Sequence, residues 1–164
     1  MEKQLIECVP NFSEGRNSEV IKNIVSEVEN TDGVTLLNVD PGKATNRTVV
    51  TFVGAPIPVI TAAFKLIKKA AELINMETHQ GEHPRMGATD VCPLIPISGI
   101  SMEETVEYSR KLAKKVGEEL NISTYLYEKS ASANYKQNLA NIREGEYEGL
   151  INKIGQKKWK PDFG

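Results

Sequence analysis

Two kinds of hydrophobic pattern alternate along the first hundred residues of the chain. Short apolar or β-branched runs bounded by glycine, proline or aspartate predict strands, and they occur at 5–9, 32–40, 47–54 and 90–98. Apolar residues that recur every three or four positions predict amphipathic helices, and they occur at 17–30 and 56–75. The predicted order of elements is therefore β-α-β-β-α-β.

The second helical segment carries the strongest amphipathic stripe in the chain. Its apolar positions recur at helical spacing: Val59, Ile60, Ala63, Phe64, Ile67, Ala70, Ala71 and Ile74. The first segment has a similar stripe: Val20, Ile21, Ile24, Val25 and Val28. Asn17 or Ser18 stands before it, where a helix N-cap is preferred. Each segment therefore has one face to bury against a sheet.

The order β-α-β-β-α-β predicts an α+β fold, a ferredoxin-like split βαβ sandwich. Because crossover connections are right-handed, its four strands should lie in the order 4-1-3-2. The fourth strand, "DVCPLIPIS", contains Pro93 and Pro96, which cannot donate to a ladder and so belong at a sheet edge. The 4-1-3-2 order places that strand at an edge.

The predicted sheet has one bare face and two ends. Both crossover helices should pack on one face, so the other needs a cover: the C-terminal segment, a second subdomain or a second copy of the chain. We expect the loops at Asn11 and His83 to share one end of the sheet, and the turn at 40–47 to lie at the other. A strand of seven residues would separate the two ends by about 23 Å.

The rest of the chain predicts a helix-strand-helix extension to the sandwich. A helix is expected from Met102 to Leu120, followed by a short strand "TYLYE" and a weakly helical segment that ends in "KKWKPDFG". A chain of 164 residues can bury roughly 70% of its unfolded surface. We therefore expect residues 1–164 to form a single domain.

Composition and charge exclude several classes of function. The net charge of −2 argues against nucleic acid or an anionic membrane as the main partner. No apolar run approaches the ~20 residues needed to cross a bilayer, and "MEKQLIECVPNF" lacks the pattern of a secretory signal. We expect a cytoplasmic protein whose two cysteines, Cys8 and Cys92, are reduced thiols on neighbouring strands.

Both histidines of the chain, His79 and His83, lie in "THQGEHPRMGATD". "HQGEH" fits the H-x-x-E-H pattern of inverted zinc proteases, in which two histidines on one helix face bind zinc. That pattern needs a helix, which Gly81 destabilises by about 1 kcal/mol relative to alanine. Pro84 also disfavours helical backbone at the residue before it. The sequence therefore favours a loop without metal.

Two interpretations of this loop stay open. A polar connection between a helix and a strand needs no function, but it does not need two glycines, a proline and several ionisable groups in ten residues. A loop stiffened by Pro84 is a typical way to present a catalytic side chain. Histidine titrates near neutral pH and can both take and give a proton. Glu82 or Asp90 could orient its ring or anchor a cation, and Arg85 could hold a carboxylate in a bidentate fork.

Two other polar clusters interrupt the apolar pattern. "VPNFSEGRN" serves equally well as a loop that caps the next helix. "NVDPGKATNRT" serves equally well as a hairpin turn around Pro41-Gly42, although such a turn does not need Asp40, Asn46 and Arg47 together. Each cluster taken singly is a weak signal of a functional site.

Together, the three clusters resemble one enzyme family. "ECVPNFSEGRN", "NVDPGKATNRTVVTFVG" and "GEHPRMGATDVCPLIPI" are similar to the N-terminal subdomain of glutamate formiminotransferase, as are "TYLYE", "REGEYEGL" and "WKPDFG". The resemblance implies a transferase that moves a formimino group from N-formimino-L-glutamate to tetrahydrofolate, in histidine degradation and one-carbon metabolism. It also implies a catalytic domain of two ferredoxin-like subdomains, typically dimeric. This chain resembles the first of the two, from about Leu5 to Gly164.

The resemblance implies roles for individual residues. The family's catalytic histidine corresponds to His83, and its folate-contacting linker begins at about Gly164. Polar residues along the family's substrate path correspond to Asn11, Asp40 and Arg47. Because the donor has two carboxylates and folate carries a glutamate tail, Arg47 and Arg85 are candidate clamps.

Two hypotheses for function follow. The first is formimino transfer with His83 as general acid/base and tetrahydrofolate as co-substrate, without a metal, and with a second subdomain needed for full activity. The second is a non-catalytic folate-binding or assembly module, in which the open sheet face serves only for association. The expected partners are folate and formimino-glutamate, with a second copy of the chain or a separate C-terminal subdomain. Neither nucleic acid nor a membrane is expected.

Overall fold

A six-stranded antiparallel sheet and five α-helices make up the part of the chain, residues 2–164, that the computed structural model describes. The strands are β1 (Leu5–Cys8), β2 (Asn11–Phe12), β3 (Val34–Gly42), β4 (Arg47–Gly54), β5 (Thr89–Val91) and β6 (Leu94–Ser98). The helices are α1 (Ser18–Glu29), α2 (Pro56–Leu73), α3 (Met102–Leu120), α4 (Leu139–Arg143) and α5 (Glu146–Ile154). Single 3₁₀ turns occur at Glu128–Ser130, Asn134–Lys136 and Lys157–Trp159. The predicted α+β class is confirmed.

Pro10 follows the first predicted strand, and Pro93 divides the last predicted strand into two pieces; β2, which lies beyond Pro10, was not predicted. β1 and β2 flank Val9-Pro10, and β5 and β6 flank Cys92-Pro93. β4 pairs with β1 and β2 on one side and with β3 on the other, while β5 pairs with β2 and β6 with β1. The proline-containing pair β5/β6 therefore lies at an edge, as expected. The predicted single strand 90–98 is interrupted, because a proline cannot donate to the ladder.

The strand directions bring three loops to one end of the sheet. Every pairing is antiparallel, so β1 and β3, which both flank β4, run in the same direction and end together. Val49 of β4 accordingly pairs with Asn11 on one side and with Asp40 on the other. The prediction that the turn at 40–47 lies at the opposite end from Asn11 is wrong. Strands joined by a crossover helix are parallel, so their carboxyl ends coincide.

The core lies between one face of the sheet and the helices. Alternate strand residues are fully buried there: Ile6, Cys8, Phe12, Val50 and Phe52. The helices contribute the buried residues Ile24, Val28, Val59, Ala63, Leu66, Leu112 and Val116. α1 begins at the predicted cap, where the Asn17 side chain accepts from the backbone of Glu19 and Val20. α3 begins at a capping box of Ser101 and Glu104 and packs beside α2.

The opposite face of the sheet carries exposed apolar side chains. Ile95 pairs with Glu7, which lies between the core residues of β1, so Ile95 and Ile97 point away from the helices. They are 40% and 50% exposed, and Leu37 at a bulge in β3 is 57% exposed. The C-terminal segment, one of the expected covers, packs against α3 and the loop before β5 instead.

The C-terminal extension is held by its own charged residues rather than by a strand. The predicted strand "TYLYE" is wrong: in these residues the structure has an isolated bridge between Thr124 and Phe163. Asp162 accepts from the backbone of Leu126 at 2.8 Å and pairs with the buried Lys136 at 3.3 Å. The chain end thereby lies along the segment after α3.

None of the helices between residues 2 and 164 is both long and apolar enough to cross a bilayer.

Candidate active site

Asn46 joins the three polar clusters at one end of the sheet. Its Oδ1 accepts from the backbone N–H of Gly15 at 2.9 Å, and its Nδ2 donates to the carbonyl of Gln80 at 2.9 Å. Its own carbonyl lies 2.8 Å from Nε2 of His79. The backbone of Asn46 is left-handed, with φ of 52°, a conformation that asparagine tolerates better than most residues. One buried side chain thus ties together loops that are far apart in sequence.

Two glycines let these loops approach each other closely. A Cβ at Gly81 would lie 2.2 Å from the carbonyl oxygen of Thr45, and a Cβ at Gly15 would lie 2.1 Å from that of Gly42. The N–H of Glu82 also donates to the carbonyl of Ala44 at 3.1 Å. The histidine loop therefore lies flat on the β3–β4 turn, an approach that only glycine permits.

His79 is a buried structural residue of this loop. Its Nδ1 accepts from Nε of Arg85 at 3.0 Å, so Nε2 carries the proton and donates to the carbonyl of Asn46. Arg85 in turn pairs with Glu146 at 3.2 Å and with Glu148 at 2.7 Å. All three guanidinium nitrogens of Arg85 are engaged, and it ties the loop to α5. In this structure the Arg85 guanidinium therefore pairs with protein carboxylates, and its role as a clamp for a substrate carboxylate stays a prediction.

The geometry of residues 79–83 also overturns the zinc interpretation of "HQGEH". These residues form no helix, so the two imidazoles do not share a helix face. Both ring nitrogens of His79 already contact protein groups. Within residues 2–164, no group of three histidine, cysteine, aspartate or glutamate side chains is placed to hold a metal ion.

His83 lies on the outer side of the loop, half-buried, against the guanidinium of Arg47. Nη1 of Arg47 contacts Nδ1 of the imidazole and lies 3.3 Å from Nε2. Nε and Nη2 of Arg47 donate to Oδ1 of Asn11 at 3.2 and 2.5 Å. The structure thus brings together three of the predicted site residues, one from each polar cluster.

Asp90 anchors the arginine beside the imidazole. Its carboxylate accepts from Arg47 at 3.4 Å and from Arg143 at 2.5 Å, and it also accepts from the backbone of Met86 at 2.7 Å. Its side chain is only 2% exposed. Burial lowers the pKa of Arg47 and Asp90 opposes that shift. Two guanidinium groups share one carboxylate, so the cluster has a surplus positive charge that can attract an anion.

The imidazole of His83 lies between a donor and an acceptor. Its Nδ1 is 2.6 Å from the carbonyl oxygen of Pro84, which only accepts, whereas Arg47 only donates. The two neighbours favour opposite neutral tautomers of the ring. A group that draws Arg47 away from Nδ1 therefore favours the tautomer with a bare Nε2.

The remaining predicted site residues lie apart from this cluster. Asp40 is exposed on β3, two strands from Asn11 in the same row of the sheet. Gly164 has φ of 85° and lies against Ile122 near the end of α3. Among the described residues, neither Asp40 nor Gly164 hydrogen-bonds to Asn11, Arg47 or His83.

Comparison with known proteins shows which family the chain belongs to. The family model for the formiminotransferase domain, N-terminal subdomain, matches residues 5–164. The chain belongs to this family. It is 51% identical over 161 residues to formimidoyltransferase-cyclodeaminase of Dictyostelium discoideum and 52% identical to that of Mus musculus, covering 98% of this chain and 30% of each relative. It is 47% identical to glutamate formimidoyltransferase of Streptococcus pyogenes, covering 98% of this chain and 54% of that relative.

These comparisons confirm the resemblance to formiminotransferase and fix its extent. The chain spans 30% to 54% of the length of the curated relatives named above. Residues 5–164 therefore form a formiminotransferase N-terminal subdomain. The same region contains all three polar clusters and the Arg47–His83 contact.

Arg143 is the member of this cluster that sequence reasoning missed. It ends the short helix α4 within the segment predicted only as weakly helical, 53 residues after Asp90. No local pattern there distinguishes it from a solvated surface arginine. The one sequence signal for such a partner was Asp90, which, like Glu82, could orient the imidazole or anchor a cation.

Proposed function

We propose that this formiminotransferase subdomain takes part in glutamate formimidoyl transfer, from N-formimino-L-glutamate to tetrahydrofolate, with His83 as general acid/base. The observation that carries the proposal is the contact between His83 and Arg47, which Asn11 and Asp90 hold in place at the end of the open sheet face. The names of the relatives supply the reaction class, and membership of the formiminotransferase family supports tetrahydrofolate as the co-substrate.

The reaction needs one proton to move between two nitrogens. A folate nitrogen attacks the formimino carbon, which becomes tetrahedral and bonded to two nitrogens. The attacking nitrogen then loses a proton and the glutamate nitrogen gains one as its bond to carbon breaks. His83 takes the first proton and returns it to the second nitrogen. General acid/base help of this kind accelerates a reaction by about 10² to 10⁴.

Arg47 binds a carboxylate of the donor in this scheme. The surplus charge of the Arg47–Asp90–Arg143 group attracts the anion, and the guanidinium fork suits a carboxylate. A carboxylate that draws Arg47 away from the imidazole leaves the Pro84 carbonyl as the partner of Nδ1. Nδ1 then carries the proton, and Nε2 is the nitrogen that accepts one from the substrate.

The bare sheet face supports the remaining elements of the proposal. The order in which β1/β2, β3, β4 and β5/β6 pair supports a ferredoxin-like split βαβ sandwich with a C-terminal extension. We propose that a second subdomain, or a second copy of the chain, covers the exposed Leu37, Ile95 and Ile97. Folate would lie along this face from Asn11 past Asp40, and Gly164 would lead toward the covering subdomain.

A mixing experiment tests this function against the non-catalytic alternative. The protein is assayed for formimino transfer alone and together with a C-terminal subdomain of a glutamate formimidoyltransferase, and tetrahydrofolate binding is measured by calorimetry. We expect transfer in the mixture and little with the chain alone. Association and folate binding without transfer in any mixture would instead identify a binding or assembly module.

A further inference from the structure

The thiols of Cys8 and Cys92, the two cysteines of the chain, touch each other. Their Sγ atoms are 3.6 Å apart, although the two residues are 84 positions apart in sequence. Cys8 ends β1, and Cys92 lies just after β5. Because a disulfide bond is about 2.05 Å long, the sulfurs need to approach by only about 1.5 Å to form one.

The backbone at Cys92 is the part that can follow this movement. Cys92 lies outside both strands of its edge, in the gap between β5 and β6 where Pro93 interrupts the pairing. β5 itself has three residues, and its register with β2 is irregular. Cys8, in contrast, pairs with Phe52 on one side and with Leu94 on the other. An edge segment with few backbone partners shifts at a lower cost than a central strand.

The two thiols differ in their access to solvent. Cys8 is fully buried, and burial raises the pKa of its thiol, so it stays protonated and unreactive towards oxidants in solution. Cys92 is half-buried and lines an apolar groove of about 540 Å³ between α2, α3 and the segment 122–150. A small oxidant can therefore reach Cys92 directly, whereas the buried Cys8 is left to react with Cys92.

We propose that this pair is a redox modification site, in which a hydroperoxide oxidises Cys92 and Cys8 then closes a reversible disulfide. The inference does not depend on the proposed transfer reaction. Among residues 2–164, neither cysteine hydrogen-bonds to Asn11, Arg47 or His83.

The oxidation takes place in two steps. The sulfur of Cys92 attacks one oxygen of the hydroperoxide, so an S–O bond forms and the O–O bond breaks. Cys92 becomes a sulfenic acid, and its proton leaves with the other oxygen as water or an alcohol. The sulfur of Cys8 then attacks the sulfur of Cys92, the S–O bond breaks, and the proton of Cys8 leaves with that oxygen as water. Two thiols thus lose two electrons and two protons, and the hydroperoxide is reduced.

The disulfide would tie the interrupted edge of the sheet to β1. It joins residues 84 positions apart, and a cross-link over a longer loop restricts the unfolded chain more strongly. We therefore expect the oxidised protein to unfold at a Tm at least about 3 °C above that of the reduced protein.

Treatment of the full chain with a small molar excess of hydrogen peroxide tests the proposal. We expect the wild type to lose both free thiols and the mass of two hydrogen atoms, and to stay monomeric by denaturing non-reducing electrophoresis. Dithiothreitol should restore the thiols, the mass and the lower Tm. Retention of both thiols, oxidation that gives only cross-linked dimers or sulfinic acid, or a Tm that does not rise on oxidation would overturn the proposal.

Two matched alanine substitutions test the order of the steps. Cys8→Ala removes the resolving thiol, so the sulfenic acid of Cys92 should persist and react with dimedone, which labels sulfenic acids. Cys92→Ala leaves only the buried thiol, and its labelling should be at least about tenfold slower. Labelling of Cys92→Ala as fast as that of Cys8→Ala would contradict the assigned roles. If Cys8→Ala does not fold, adding dimedone to the wild type during oxidation should label Cys92 and not Cys8, and the reverse pattern would contradict the roles.

Discussion

Arg47 and Asp90, 43 positions apart in sequence, form an ion pair of 3.4 Å whose carboxylate is almost completely buried. Asp90 also binds Arg143, so one carboxylate holds two guanidinium groups. The second role of Arg47 is its contact with His83. Asp90 therefore helps to set the position of the Arg47 guanidinium beside the imidazole of His83, although Asp90 itself need not touch a substrate.

Replacing Asp90 with asparagine should damage both stability and activity. The change leaves Arg47 and Arg143 close together without a counter-charge, so the free energy of unfolding should fall by about 3–5 kcal/mol. Urea denaturation measures this loss, and we expect formimino transfer to fall at least about tenfold. Glu107→Gln is the control: it breaks an exposed pair with Arg110 and should change stability by less than about 0.5 kcal/mol. Equal effects of the two substitutions would contradict the anchoring role of Asp90.

Substitutions at Asn46 should separate its hydrogen bonds from its backbone conformation. Both Asn46→Gly and Asn46→Ala lose the bonds to Gly15 and Gln80. Alanine also has to adopt the left-handed backbone, at a further cost of about 1–2 kcal/mol. We expect stability in the order wild type, glycine variant, alanine variant, measured by thermal unfolding. An alanine variant as stable as the glycine variant would refute this account.

Gly81→Ala should force the histidine loop away from the β3–β4 turn. The new Cβ would meet the backbone oxygen of Thr45 at 2.2 Å, and the shift would displace His83 two residues later. We expect lower stability together with lost activity. Gly149→Ala in α5, where a Cβ meets nothing within 4 Å, should instead stabilise the chain by about 0.5–1 kcal/mol. Similar behaviour of the two variants would show that the close approach is unimportant.

The ion pair between Arg85 and Glu148 predicts a pH dependence of stability. The hydrogen bond from Arg85 lowers the pKa of Glu148 to about 2 in the folded chain, whereas an unfolded glutamate titrates near 4.3. The pair therefore stabilises the fold fully above about pH 4.3 and loses this effect as the pH falls toward 2. Glu148 is 67% exposed, so solvent screens the interaction and the effect is small.

The comparison of wild type with Glu148→Gln measures this effect. The difference in Tm between them should be present at pH 7 and disappear near pH 2, and high salt should reduce it. A difference that is the same at both pH values would show that the pair does not stabilise the fold.

Local patterns predicted the helices well and the extension poorly. The spacing of apolar residues and the caps at Asn17 and Ser101 depend on near neighbours, so α1 and α3 follow from the sequence. The alternation in "TYLYE" is that of a strand, but its residues pack beside the returning chain end around Asp162 and make only one bridge. The partner that decides this conformation is more than thirty residues away and leaves no local signal.

The residue types of the candidate site could be predicted from the sequence, but the directions in which some of their side chains point could not. The cluster around His83 has more glycines and ionisable groups than a loop needs, whereas the clusters around Asn11 and Arg47 were weak signals that gained weight only from the family resemblance. Whether Arg85 faces a substrate or α5 depends on Glu146 and Glu148, which lie about sixty residues later in the chain. The sequence shows that an arginine is present, but its direction is set by tertiary packing.

The rate of formimino transfer by His83→Ala, measured with saturating substrates and the C-terminal subdomain present, tests the central claim most directly. We predict that kcat falls by about 10² to 10⁴ while tetrahydrofolate binding stays unchanged. Glu82→Gln, a change at the exposed neighbour of the imidazole, should keep the wild-type rate. A His83→Ala variant that transfers the formimino group as fast as the wild type would contradict the account.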